Sequence, residues 1–158
     1  MLGKFLLSLL LTITPLIELR GGLPLAIISA KEIGIPIFIM FLLVVLINIL
    51  LIFAIFWFLD NLHELFMKIK LYRILFGFAL KRIRKKIDKF EAKHESGGFW
   101  ALVAFVGVPL PLTGAWSGCL LSWVLGIDRK KSIGAIALGV LIAGILILAG
   151  TLGVISSF

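Results

Sequence analysis

"TPLIELRGGLP", residues 14–24, sets a carboxylate (Glu18), a guanidinium (Arg20), two glycines and two prolines inside a run that is otherwise apolar from residue 5 to residue 30. The run belongs to a chain of 158 residues that is 61% hydrophobic, with a mean hydropathy of +1.20. That is far above the apolar share of soluble domains, and the chain reads as an integral membrane protein. Its length suits one membrane domain, residues 1–158, with no soluble segment long enough to bury a core of its own. Charges and helix breakers at membrane depth are tolerated only where protein or a water-filled cavity satisfies the freed backbone groups. Residues 14–24 therefore read as a break inside the bundle.

Working outward, charges divide the chain into blocks. Residues 34–59 and 132–156 carry no charge, and each suits one tilted spanning helix, since about 20 residues cross the hydrocarbon. Residues 97–127 are also uncharged but would be roughly 45 Å long as one helix, too long for a comfortable crossing and too short for two. Pro109, Pro111 and Gly114 break that block, as Pro15, Gly21, Gly22 and Pro24 break residues 5–30. An offset of about 96 residues lays Pro15 on Pro111, Gly22 on Gly118 and "AKEIG" on "IDRKK". The expected fold is an all-α integral membrane protein built as an inverted repeat. Each half is a re-entrant helical hairpin followed by a full transmembrane helix, residues 1–59 and 97–158, with a basic amphipathic segment, residues 60–96, between them.

If both broken blocks enter and return on one side, residues 60–97 with ten Lys and Arg and residues 128–131 with three share a face, thirteen of the sixteen in the chain. The positive-inside rule then makes that face cytoplasmic and both termini external, in a multi-pass inner-membrane protein; if both blocks cross once instead, the split is eleven against four, which the rule favours less. Leu62, Leu65, Phe66, Ile69, Phe76, Leu80, Ile83, Ile87 and Phe90 recur at spacings of three, four and seven through the basic segment, which reads as an interfacial helix on anionic lipid headgroups rather than a nucleic-acid site. Lys4 with "FLLSLLLTI" imitates a secretory signal, but the run leads into a charged motif instead of a cleavage site and is read as mature protein.

The chemistry is expected at the two breaks. A half-helix should begin after each, near Leu23 and near Ala115, with Thr113 placed to cap the second. Two helix N-termini converging beside Arg20 would make an anion site, for which phosphate is the natural candidate. Glu18 and Arg20 form either this site or a structural ion pair. Asn48, mid-span in residues 34–59, serves either an interhelical hydrogen bond or the site, and Trp116 either packs or walls the cavity. Gly21, Gly22, Pro24, Pro109, Pro111, Thr113 and Gly114 complete the candidate substrate-binding set. Ala135, Gly139 and Ala143, spaced by four, with Gly150 and Gly153, mark close helix packing and leave a homodimer open. His63 and His94 read as solvated or interfacial, no metal or other cofactor is expected, and lone Cys119 reads as a packing residue. No nucleophile and base stand at catalytic spacing, so an enzyme is not expected.

"ELRGGLPLAI" (18–27) followed by "PLPLTGAWSG" (109–118) resembles the small multi-drug export family of prokaryotic membrane proteins, over nearly the whole chain. That family is distantly similar to the DedA/VTT superfamily, and the resemblance implies two re-entrant hairpins and the movement of lipids, polyprenyl phosphates included. Glu18, Pro24 and Pro111 match the acidic and proline features of those hairpins. DedA proteins usually carry an arginine in the second hairpin, and "LTGAWSG" has none. Three functions follow as expectations: a transporter or flippase for an anionic, phosphate-bearing lipid, with Glu18 as a proton-linked switch; a proton-coupled exporter of lipophilic cations; or a non-transporting membrane scaffold.

Overall fold

A computed structural model describes residues 2–15, 17–91, 98–109 and 113–156 of the chain. Eight α-helices and no strand occur among them: α1 (Leu2–Ile13), α2 (Glu18–Ile33), α3 (Ile37–Asn61), α4 (His63–Phe66), α5 (Lys70–Glu91), α6 (Gly98–Gly107), α7 (Ala115–Val124) and α8 (Arg129–Ser156). Among the described residues only α3, with 25 residues, and α8, with 28, are long and apolar enough to cross a membrane. They coincide with the two blocks read as spans.

Both breaks fall between short helices, and the first is narrower than its composition suggested. It occupies residues 14–17, whereas Gly21, Gly22 and Pro24 lie inside α2, which begins at Glu18 and not near Leu23. The glycines are there for packing. A Cβ on Gly22 would collide with the Thr12 hydroxyl and stand 3.0 Å from the Ser8 carbonyl oxygen of α1, and one on Gly21 would meet Ile17. Gly118 of α7 does for α6 what Gly22 does for α1, since its Cβ would come within 2.7 Å of Val106. Pro24 has no N–H for the Arg20 carbonyl four residues earlier, but the helix continues through it.

Contacts set the directions of the helices. Lys4 at the start of α1 meets Glu32 at the end of α2 at 2.6 Å, so these helices form an antiparallel hairpin closed at its base. Gly34, with φ of 80°, ends α2 by donating its N–H to the Ala30 carbonyl, a left-handed terminus that glycine adopts without steric cost. Asp60 at the end of α3 accepts two hydrogen bonds from Arg129 at the start of α8, both 2.7 Å, while Gly144 of α8 lies against Phe41 and Val45, so α3 and α8 run antiparallel. Phe99 and Val106 of α6 approach Gly134 and Gly139 of α8 in the same order, making that pair parallel. Gly139 is small because the Val103 carbonyl and Val106 pass within 3.0 Å of where its Cβ would be. Ala135 and Ala143 are buried with it, whereas Gly150 and Gly153 have open space before them.

The basic segment is not one helix. It breaks after Phe66, and α4 and α5 are held to the bundle by rings: His63 lies 5.1 Å from Trp123 and 4.3 Å from Phe76, and its Nδ1 shares a 2.9 Å hydrogen bond with the Tyr72 hydroxyl. Burial there raises the Tyr72 phenol above its ordinary range. Ile83, Ile87, Phe90 and His94 lie outside the residues whose side chains are described.

Candidate functional site

The first break, between α1 and α2, meets the second, between α6 and α7. Glu18, the first residue of α2, is 5% exposed, and its carboxylate accepts the N–H of Ala115 at 3.2 Å and that of Trp116 at 3.0 Å. These are N–H groups of the first turn of α7, which have no partner within their own helix. The carboxyl group at the start of α2 thus caps the positive end of the α7 dipole. Thr113, expected to do the capping, faces elsewhere: its hydroxyl donates to the Val108 carbonyl at 2.8 Å, closing the second break, and accepts from Arg20 at 2.7 Å. The Arg20 guanidinium also donates to the Thr113 carbonyl. Ser117 adds to the cap by accepting the Gly114 N–H at 2.9 Å.

Close approach of the carboxylate depends on Gly114. A Cβ there would overlap the Glu18 carboxylate, although the extended backbone at Gly114 would suit any residue. Glu18 itself is held at φ of 48°, a left-handed conformation that costs a non-glycine residue on the order of 1–3 kcal/mol. Such an outlier persists where surrounding contacts over-determine it, and here two hydrogen bonds from α7 do so. Trp116 adds a third tie between the tips, its indole N–H reaching the Ile13 carbonyl at the end of α1 at 3.0 Å.

Behind the tips is a small cavity of about 10 Å³, room for about one water molecule. Glu18, Arg20, Thr113, Gly114 and Asn48 line it, with Val140, Ala143 and Ile147 of α8 among the apolar walls. Asn48 is 1% exposed. Its amide donates to the Val44 carbonyl of its own helix at 3.0 Å, and its Oδ1 has no partner among the described residues. Arg20 Nε is buried and unpaired there too. An acceptor and a donor without partners thus belong to residues that line one cavity.

Of the residues singled out from sequence, Glu18, Arg20, Thr113, Gly114 and Asn48 come together, with Trp116 at their edge. Gly21, Gly22 and Pro24 lie along α2 away from the cavity, and Pro109 is exposed. Pro111 lies outside the described residues. Sequence reading missed Ser117, whose position three residues after Gly114 is capping-box spacing. It also missed the α8 wall, which no polar side chain announces. Among the described residues no group of His, Cys, Asp and Glu is placed to hold a metal.

Residues 18–146 match the model of the family described as "Putative small multi-drug export protein", and the chain belongs to that family. With two helices fit to span and an export family around them, it is a membrane protein. No curated protein and no solved structure gives a significant match.

Proposed function

We propose that the chain is a transporter whose substrate passes through the cavity where the two hairpin tips meet, and that the substrate is an anionic, phosphate-bearing lipid such as a polyprenyl phosphate. The observation that carries this reading is the Glu18 carboxylate seated on the N-terminus of α7. A helix N-terminus favours an anion, and this one already holds one, supplied by the protein. Glu18 acts as a resident stand-in: a phosphate headgroup takes its place on α7 when a proton neutralises it. Arg20 Nε then gains an acceptor and Asn48 Oδ1 a donor, which suits a group carrying both P–O⁻ and P–OH.

In this reading the hairpins are re-entrant and the halves form an inverted repeat. Four observations support it: α1, α2, α6 and α7 have 12, 16, 10 and 10 residues, too few to cross; Lys4 and Glu32 close the base of the first hairpin; Gly22 and Gly118 play equivalent parts; and α3 and α8 run antiparallel. The face bearing Asp60, Arg129 and the basic segment is cytoplasmic by the positive-inside rule.

The family description favours a second reading, export of lipophilic cations, in which Glu18 and the Asn48 carbonyl supply the acceptors and Arg20 is a gate charge. Proteoliposomes separate the two. A polyprenyl phosphate and a lipophilic cation are offered in parallel to purified protein, and transport of the cation alone overturns the anionic-lipid reading.

A further inference from the structure

Helix α5 has two differently occupied faces. Tyr72 and Phe76 turn toward the bundle, where Phe76 packs on His63 and Tyr72 meets Phe58 edge to face at 6.1 Å. About a third of a turn away, Leu71, Ile74 and Leu75 are 66%, 58% and 59% exposed, at the spacing of one helical stripe. In sequence the same spacing continues as Arg82, Lys85, Lys86 and Lys89, so the residues at that spacing change from apolar to basic along the chain. The helix holds eight basic and two acidic residues. It leaves the bundle near the end of α3, where Trp57 is also exposed, as aromatic residues at a membrane interface are.

We infer that α5 docks on an anionic lipid surface, with Leu71, Ile74 and Leu75 among the acyl chains and the basic run of its second half on phosphate headgroups. This face is not the stripe that sequence spacing put on the lipid: Phe66 and Phe76 from that stripe are spent on the ring cluster at His63. Charge decides the occupant. A second copy would bring its own basic run against this one, whereas an anionic leaflet attracts it, at roughly fivefold in affinity for each Lys or Arg near the surface.

The test uses full-length protein carrying a nitroxide at Leu75→Cys in a Cys119→Ala background. It is reconstituted in vesicles of phosphatidylcholine alone or mixed with phosphatidylglycerol. With phosphatidylglycerol present, collisions with dissolved oxygen should dominate over those with a water-soluble nickel chelate. The variant R82Q/K85Q/K86Q/K89Q should lose its preference for brominated phosphatidylglycerol over brominated phosphatidylcholine by more than about tenfold. An unchanged elution profile shows that the variant is folded. A label open to the nickel reagent in both vesicles overturns the inference, as does spin–spin broadening from a second copy. Full retention of the phosphatidylglycerol preference by the folded variant overturns it too.

Discussion

Trp116 and Glu18, 98 residues apart in the chain, are joined by a 3.0 Å hydrogen bond from the backbone N–H of one to the carboxylate of the other. Hydrogen bonds to a charged group contribute roughly 1.5–3 kcal/mol, and removing the acceptor leaves buried donors unpaired. Glu18→Ala should therefore destabilise the protein by about that amount, read as a lower unfolding midpoint in detergent. Glu18→Gln, which keeps an acceptor oxygen, should lose less. Equal midpoints for Glu18→Ala and the parent would show that the cap contributes nothing.

Gly114→Ala should act through the same contact. The new methyl group displaces the Glu18 carboxylate, so the single variant should cost about as much as Glu18→Ala, while the double variant costs little more than either. The measurement is a double-mutant cycle on unfolding free energy. Additive losses would mean that Gly114 is small for some other reason.

For the transport site, Arg20→Gln should weaken polyprenyl-phosphate binding by about ten- to a hundredfold, the worth of one charge-assisted hydrogen bond. Arg20→Lys should restore only part, because an ammonium keeps the charge but loses the planar guanidinium, in which one terminal nitrogen reaches both Thr113 oxygens while Nε stays free for the cargo. If lipophilic cations are the cargo, Arg20→Gln should leave affinity unchanged or higher and Glu18→Gln should abolish transport. Flux in proteoliposomes, with elution profiles as the folding control, decides between them.

Topology gives a prediction independent of substrate. Single cysteines at Gly3 and Ser156 should react with an impermeant maleimide from outside the cell, and cysteines at Lys85 and Lys130 only after the cytoplasm is opened. Labelling of positions 85 and 130 from opposite sides would eliminate paired re-entrant hairpins.

Helix α1 against α2 can be tested at one position. Gly22→Val should cost roughly 1–3 kcal/mol, since its side chain meets the Thr12 hydroxyl and the Ser8 backbone with no flexible neighbour to move aside. Thermal unfolding of the variant checks it.

Much of this architecture was legible because lipid imposes strict rules on sequence. Apolar run length located α3 and α8 to within a few residues, and prolines located both breaks. The start of α2 was misplaced because Gly21, Gly22 and Pro24 look like breakers locally, yet tertiary contact with Thr12 and Ile17 uses the glycines' lack of a side chain. Glu18 and Arg20 could be picked out by the cost of charge at depth. Their partners could not, since backbone N–H groups on Ala115 and Trp116 and a backbone carbonyl on Thr113 carry no residue signature. Asn48 was recognisable as unusual, but its role depends on whether a neighbouring helix offers a partner, which a single sequence does not encode.

The opposite charges of Glu18 and Arg20 have a further consequence for a bundle in an energised membrane. Together they sum to zero, so with Glu18 ionised the tips gain little from the transmembrane voltage. In the proposed cycle a proton on Glu18 leaves Arg20 as an uncompensated positive charge, on which the field acts at about 2.3 kcal/mol per 100 mV for a full crossing and less for a charge part way through. Arrival of an anionic headgroup cancels that charge again. Only the protonated, unloaded tips would then respond to voltage, so the membrane potential would act on that one intermediate of a cycle whose resting and loaded states are both neutral.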